Sequence, residues 1–438
     1  MGPERTFDYK KFRYPGEFEP RSDVFLAWIP DYVEGIDYRK ACAEVIKALI
    51  GHVNVHINCG NQTNIDGVKS FLSAAGIDCT STEYAGQRCV AVDLKGDGQW
   101  DKEIHFHQIP DWCWWLRDSG PDIMVDGEGG MAVVNNEWSD CGCYDKYGEA
   151  QQLTRRASLM MAISVGCNNI INTDLVTEGG DRESNGKGVL MCVEDTEVKR
   201  RNPEYTKEQI ENEFKRIYNV EKVIWIPQPL AEDSHFLTGP LDYLEDGTPL
   251  WTGSIAGHID EMCRFVSEDT VLLAEVTEEE AASNAIDAEN YTRLEEAYEI
   301  LSRETTVDGK PFKILRIPVG PQMIERMPKD QLGYEVWKAF FDEAGVAEDG
   351  TPWYDGDFAH MIQTGYCNFL ICNDIVLGQH YWRPGMDESI KERDEKARKA
   401  LQEAFPDREI ITVDAFDINV WSGGIHCWTK DIPSPYDK

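Results

Sequence analysis

The stretch Trp421-Ser422-Gly423-Gly424-Ile425-His426-Cys427 lies close to the end of the 438-residue chain. Paired glycines let a backbone turn tightly and approach a ligand closely. The cysteine behind them therefore reads as a presented nucleophile rather than core filling. Burial is the usual fate of a free cysteine, and it is expected for most of the other twelve. Three acidic signatures lie upstream: Arg117-Asp118-Ser119-Gly120-Pro121, Glu178-Gly179-Gly180 and Gly257-His258-Ile259-Asp260. One cysteine, one histidine and several carboxylates suggest covalent chemistry on a cationic carbon.

His258 and Asp260 are two residues apart. On a strand both would face one side, setting an acid/base imidazole beside a carboxylate. The plain alternative is a half-buried polar pair at a strand end. Trp112, Trp114, Trp115, Arg117 and Asp118 form an aromatic-rich loop. Ring faces attract a planar cation and a carboxylate accepts its N–H groups. Core tryptophans with an Arg–Asp salt bridge are the alternative. Glu178 follows the apolar run Ile170 to Val176, and strand-end carboxylates commonly line sites in α/β folds. Asn368, before Phe369-Leu370-Ile371, could orient a ligand or simply cap a strand. His105 and His107 lack a third ligand at metal spacing, so they are expected to be solvent-exposed strand residues and no metal site is expected. Neither GxGxxG nor GxxxxGK[ST] occurs, so no nucleotide cofactor is supported and no other cofactor is expected.

Forty-three basic residues stand against 79 acidic ones, a net charge of −36. Such a surface repels nucleic-acid phosphates and anionic membranes. It suits a cationic ligand, or simply solubility. Hydrophobic residues make up 42% and aromatics 11%, a globular composition. Thirteen cysteines without a CxxC pair argue against a disulfide framework or a structural zinc. Reduced thiols, no basic start with an apolar run and no apolar stretch long enough for a bilayer lead to a cytoplasmic expectation.

Strand and helix patterns alternate along the chain. Helices are expected over 38–50, 62–75, 151–165, from Thr206 past Ile217, 278–303 and 387–405. Strands are expected over 53–57, 88–94, 103–109, 123–125, 131–134, 170–176, 189–193, 223–226, 271–276, 314–317, 369–372 and 410–413. Asp126-Gly127 reads as a hairpin turn. One α/β domain over 1–438 follows, with surface insertions near 96–102 and 227–249. No fixed-period repeat is plain in the residues themselves.

Together these motifs resemble the agmatine deiminase and bacterial-type (Porphyromonas-type) peptidylarginine deiminase family, guanidino-group-modifying enzymes. The likeness begins at Pro15-Gly16-Glu17-Phe18-Glu19-Pro20 and Leu26-Ala27-Trp28 and takes in Lys199-Arg200-Arg201-Asn202-Pro203. It spans nearly the whole chain. It implies the pentein fold, a five-bladed α/β propeller of pseudo-fivefold ββαβ modules. It implies that Cys427 is the nucleophile and His258 the general acid/base. Asp118 and Asp260 would hold the guanidinium. Glu178, Asn368 and Trp115 would complete the substrate site. The implied reaction is hydrolysis of a guanidino group through a covalent cysteine intermediate, agmatine giving N-carbamoylputrescine and ammonia. Rival readings are a peptidyl-arginine deiminase making citrulline, an amidinotransferase, and a non-catalytic propeller that binds guanidino ligands. The implied partner is a small cationic guanidine or an arginine peptide, with homo-oligomer formation left open. One stretch departs from the family. Asn135-Asn136-Glu137-Trp138-Ser139-Asp140-Cys141-Gly142 stands where agmatine deiminases carry an Asn-Ala-Trp-Gly-like segment, and that segment helps shape the substrate pocket.

Overall fold

Every residue of the strand Val189–Val193 is buried, as a strand covered on both faces requires. It pairs in parallel with Lys222–Ile226. Parallel neighbours need a crossover, usually a helix, and the chain supplies Lys207–Ile217. That helix starts in a capping box, with Thr206 and Gln209 satisfying each other's backbone N–H groups. The computed structural model describes residues 8–28, 38–77, 80–84, 87–91, 103–254, 256–329, 334, 338, 345–348, 350 and 356–436.

One connectivity recurs in five of the sheets: a strand, an antiparallel strand, a helix, then a strand parallel to the second. The first such unit runs Asp122–Val125, Met131–Glu137, Glu149–Ser164 and Asn169–Val176. The second is Glu183–Ser184, Val189–Val193, Lys207–Ile217 and Lys222–Ile226. The third is Cys263–Ser267, Thr270–Glu275, Ala285–Arg303 and Lys313–Pro318. The fourth is Leu370–Cys372, Ile375–His380, Glu388–Ala404 and Glu409–Asp414. The fifth joins the two ends of the chain. Thr429–Pro433 pairs antiparallel with Arg21–Ala27, which continues through the helix Arg39–Leu49 to the parallel strand Asn54–Asn58. Glu103–His107, Gln87–Ala91 and Thr80–Tyr84 extend that sheet.

The sixth sheet runs through the segment 227–249, which was expected as a surface insertion. Residues 227–249 read as a surface loop, yet Asp242–Tyr243 pairs with Pro249–Trp251, which pairs with Phe358–Met361. Asp233, in the turn Ala231–Asp233, is fully buried. The segment around 96–102 lies outside the described residues. The helix expected over 278–303 is two, broken where Asn284 caps Ala285–Arg303 by accepting the N–H of Asp287. Arg21–Ala27 and Thr429–Pro433 escaped the pattern reading because their buried residues are partly charged. Arg21 Nε and Asp431 Oδ2 pair at 2.7 Å, both nearly inaccessible. Among the described residues no helix is long and apolar enough to cross a membrane.

The residues singled out in the sequence share one position in these units. Asp118 precedes the first strand of the first unit, Glu178 that of the second, and His258 and Asp260 that of the third. Asn368 precedes the fourth and Cys427 the fifth. The repeat is therefore visible in where the chemistry sits, although the residues themselves differ.

The core that holds the third and fourth units includes Leu294, Leu301, Phe265 and Val271, all fully buried. Leu294→Ala should cost about 2–5 kcal/mol, transfer plus cavity. A urea midpoint that falls at unchanged slope would show it; an unchanged midpoint would mean that the helix Ala285–Arg303 does not pack as described.

Candidate active site

Cys427 lies in the short helical turn Ile425–Trp428. The paired glycines before it serve close packing rather than a left-handed backbone. A Cβ on Gly424 would come within 2.5 Å of Asn368 Oδ1, and one on Gly423 within 2.7 Å of the Trp115 ring. Asn368 grips the turn. Its Oδ1 accepts the N–H of His426 at 2.9 Å and of Cys427 at 3.3 Å. Its Nδ2 faces Cys427 Sγ at 2.9 Å, Glu261 Oε1 at 2.8 Å and Asp260 Oδ2 at 3.2 Å. Sγ itself lies 3.6 Å from Asp260 Oδ2 and 3.7 Å from Glu261 Oε1. Burial, then Asp260, Glu261 and Asp118, push the thiol pKa well above its usual value, since both low dielectric and negative neighbours disfavour a thiolate.

Asp260 is fixed from behind. His426 Nδ1 sits 2.6 Å from its Oδ2, while His426 Nε2 lies 2.8 Å from Glu17 Oε2 and 3.0 Å from Arg264 Nη2. Arg264 also pairs with Glu17 at 2.6 Å and with Glu183. Arg117 pairs with Glu17 at 2.5 Å and Asp431 at 2.7 Å. Burial alone would raise the Asp260 pKa, but the hydrogen bond and charge of His426 outweigh it and hold it low. Asp260 Oδ1 accepts no hydrogen bond among the described residues.

His258 and Asp260 were expected on a strand. They lie instead at and in the turn Ile259–Glu261, with His258 extended just before it. The backbone is anchored by buried carboxylates. Asp233 accepts the N–H of Gly257 and of His258, at 3.2 and 2.7 Å, and Asp181 accepts that of Ile259 at 3.0 Å. The imidazole sits between two acids, Nε2 at 2.9 Å from Glu178 Oε2 and Nδ1 at 3.5 Å from Asp118 Oδ1. Burial would lower its pKa; Asp118, Glu178 and Asp260 outweigh burial and raise it well above the usual histidine value. Asp118 accepts the N–H of Gly180 at 2.9 Å. Burial pushes its carboxyl up to about 6, against the lowering charge of His258.

Glu178 differs from the expected substrate contact. Its Oε2 is shared by Arg201, at 2.7 and 2.8 Å, and His258, and its Oε1 accepts the N–H of Cys141 at 3.1 Å. Burial alone would raise its pKa; Arg201 and His258 bring it to about 2. Glu178 is thus the partner of the imidazole. Trp115, half-buried, packs over Gly423 beside the nucleophile turn. Trp112 is 76% exposed and outside this set.

His105 and His107 are not the exposed residues expected. His107 is buried, with its Nε2 2.8 Å from His56 Nδ1, and His105 stacks on His56 with ring centroids 4.5 Å apart. Two groups among the described residues bring three metal-capable atoms within 4.8 Å: Glu17, Glu183 and His426, and Asp260, Glu261 and Cys427. The first is already neutralised by Arg264 and Arg117, which leaves a metal little reason to bind there.

Pattern reading missed Glu261, Arg201, Arg264 and Asp233. Glu261 had a signal, since it follows His258-Ile259-Asp260 directly. Arg201 was marked only as part of Lys199-Arg200-Arg201-Asn202-Pro203, with no partner, and Arg264 had no signal beyond being a basic residue in a strongly acidic chain.

Gly180 makes the site's close approach possible. A Cβ there would lie 2.5 Å from His258 Nδ1 and 2.7 Å from Asp118 Oδ1. Gly180→Ala should therefore displace both groups and lower kcat/KM on the order of 100-fold with the fold retained. Wild-type kinetics would show that the spacing of His258 and Asp118 is immaterial.

A family model described as Porphyromonas-type peptidyl-arginine deiminase matches residues 13–433. An agmatine deiminase of Pseudomonas syringae pv. syringae is 27% identical over 97% of this chain and 96% of its own. One from Pseudomonas savastanoi pv. phaseolicola is 28% identical with the same coverage. The solved agmatine deiminase of Enterococcus faecalis superposes with a TM-score of 0.69 at 21% identity, covering 98% of this chain and 99% of that one. That of C. jejuni gives 0.63 at 17% identity, with 97% of each chain covered. These likenesses show the same mixed α/β fold. With a family model matched from Arg13 to Pro433, the chain belongs to the Porphyromonas-type peptidyl-arginine deiminase family.

Proposed function

We propose that Cys427 attacks the guanidinium carbon of a small cationic substrate, and that the substrate is agmatine, converted to N-carbamoylputrescine and ammonia. Membership of the family makes the chain a hydrolase acting on amidine C–N bonds; the substrate and the residue roles are our assignment. The observation that carries it is the meeting of Cys427, Asp260, Asp118 and His258 in one buried, acid-rich site. The relatives described as agmatine deiminases over nearly their whole length support the substrate.

A guanidinium carbon is a poor electrophile because its charge is delocalised. Carboxylates localise that charge and fix the plane through paired N–H···O bonds. Asp118 and the free Oδ1 of Asp260 take this role. The thiol gives up its proton to a base of the site, its electron pair forms a bond to the carbon, and the C–N π pair moves onto nitrogen, giving a neutral tetrahedral adduct. His258, held as imidazolium by Asp118 and Glu178, protonates one nitrogen, and the C–N bond breaks to release ammonia. The thiouronium that remains is attacked by water, whose proton returns to His258. The C–S bond then breaks and the urea-type product leaves. No oxyanion forms, so acids rather than N–H donors line the site. Glu178 and Asn368 act as positioning residues, one on His258 and the other on Cys427, and Trp115 covers the substrate plane.

We further assign a single domain, in which the five repeated units close into a five-bladed propeller with the site at its inner ends. The free thiols suit a cytosolic setting. The peptidyl-arginine reading is kept alive by one observation, the chain's own segment around Asp140 and Cys141, which departs from the agmatine deiminase pattern and contacts Glu178.

Ammonia release should be measured for wild type and Cys427→Ala on agmatine, free arginine and a blocked arginine peptide. Turnover of agmatine alone, lost in the variant, is expected. Turnover of the peptide alone would move the protein to the protein-arginine branch. Turnover that survives Cys427→Ala would remove the nucleophile assignment.

A further inference from the structure

Turnover begins only when the Cys427 proton leaves, and His258 is badly placed to take it. Its two nitrogens face Glu178 at 2.9 Å and Asp118 at 3.5 Å, an arrangement that keeps the ring protonated. The same proton is needed later for ammonia. Two carboxylate acceptors lie within hydrogen-bond reach of Sγ, Asp260 Oδ2 at 3.6 Å and Glu261 Oε1 at 3.7 Å. They are not equivalent. Asp260 Oδ2 already receives His426 at 2.6 Å and Asn368 at 3.2 Å. Among the described residues Glu261 forms no ion pair with Lys or Arg. Its Oε1 meets the neutral Asn368 amide and the thiol, and the neutral Gln363 side chain also lies against the carboxyl.

We propose that Glu261 is the base that takes the Cys427 thiol proton. The inference rests on the reading of Cys427 as nucleophile. In the substrate complex the S–H bond breaks, its electron pair stays on sulfur, and an O–H bond forms at Glu261 Oε1. The proton returns to sulfur after the product has left. Asn368 Nδ2 lies against both Sγ and Oε1 and holds donor and acceptor together. The chain makes room for this carboxyl: a Cβ on Gly365 would overlap Glu261 Oε2. The environments of the two acids push their proton affinities apart. Burial, then Asp260 and Asp233, raise the Glu261 pKa, whereas His426 holds that of Asp260 down. Such a divided pair marks the base and the anchor respectively.

The titratable groups facing Glu261 are Asp260, Asp233, His258, Cys427, Cys367 and Tyr381. Negative neighbours dominate, so the incoming guanidinium is the event that lowers both the Glu261 and the Cys427 pKa. The acid limb of kcat is then the protonation of Glu261 in the complex, with activity lost as pH falls through it.

The test is kcat against pH for wild type, Glu261→Gln and Glu261→Asp. A second readout is alkylation of Cys427 by a cationic haloacetamidine against the neutral haloacetamide. Glu261→Gln should lower kcat on the order of 100-fold or more at little changed KM and lose the acid limb. The cationic reagent should lose its rate advantage in that variant. Glu261→Asp, with a carboxylate drawn back by one methylene, should give intermediate values for both and remains decisive if the glutamine variant fails to fold. Wild-type kcat, pH profile and reagent selectivity in either variant would overturn the proposal. A wild type that shows no Cys427-dependent chemistry at all would overturn the nucleophile reading, and the base with it.

Discussion

The contact of His426 Nδ1 with Asp260 Oδ2, at 2.6 Å, ties the end of the chain to its middle. It brings the turn that carries Cys427 against the turn that carries Asp260 and Glu261, with His258 just before it. It also occupies one oxygen of Asp260 and leaves the other open. His426 can do this only because it is held from its far side by Glu17 and Arg264. Arg264 and Arg117 in turn neutralise Glu17, Glu183 and Asp431. Buried charges of this kind are tolerated when paired and hydrogen-bonded, and removal of one partner is costly. The acids around Cys427 and His258 are therefore embedded in a second set of acids that are already paired.

That division sets the chemistry. A site meant for a delocalised cation must be negative when empty, and a negative site raises the pKa of its own cysteine. On the proposed reading, this keeps the thiol from indiscriminate reaction until the cation arrives. The imidazole has the opposite setting, enclosed by carboxylates and held protonated. One acidic environment thus raises both pKa values, which leaves Cys427 a neutral thiol and His258 a charged imidazolium, the states that the proposed nucleophile and acid need.

Much of this was legible in the sequence, and the limits have physical causes. Cys427, His258, Asp118 and Asp260 stood out because each lies in a short motif with glycine or a paired acid. The strands that repeat the fold were legible where apolar runs are clean, as in Val189–Val193. They were not legible in Thr429–Pro433, where buried Lys430 and Asp431 stand among the apolar residues, nor in Arg21–Ala27, whose apolar run Val24 to Ala27 is short and starts behind the buried charge of Arg21. The repeat itself was invisible, since the five positions before each first strand carry Asp, Glu, His with Asp, Asn and Cys. Arg201 and Arg264 could not be assigned at all. Their partners lie 23 residues away or more, and only folding makes Glu178 the neighbour of Arg201. The burial of Asp233 could not be read from residues 227–249, because Pro, Gly and acids describe an exposed loop and one that buries a carboxylate behind His258 equally well.

The central claim is a covalent bond between Cys427 and the guanidino carbon. Acid quench of the wild type during turnover of agmatine, followed by mass spectrometry of the peptide that contains Cys427, tests it most directly. The expected result is a fraction of that peptide heavier by the substrate less one ammonia, absent from every other cysteine-containing peptide. Steady turnover with the adduct on another cysteine, or on none at any time before substrate is exhausted, would contradict it.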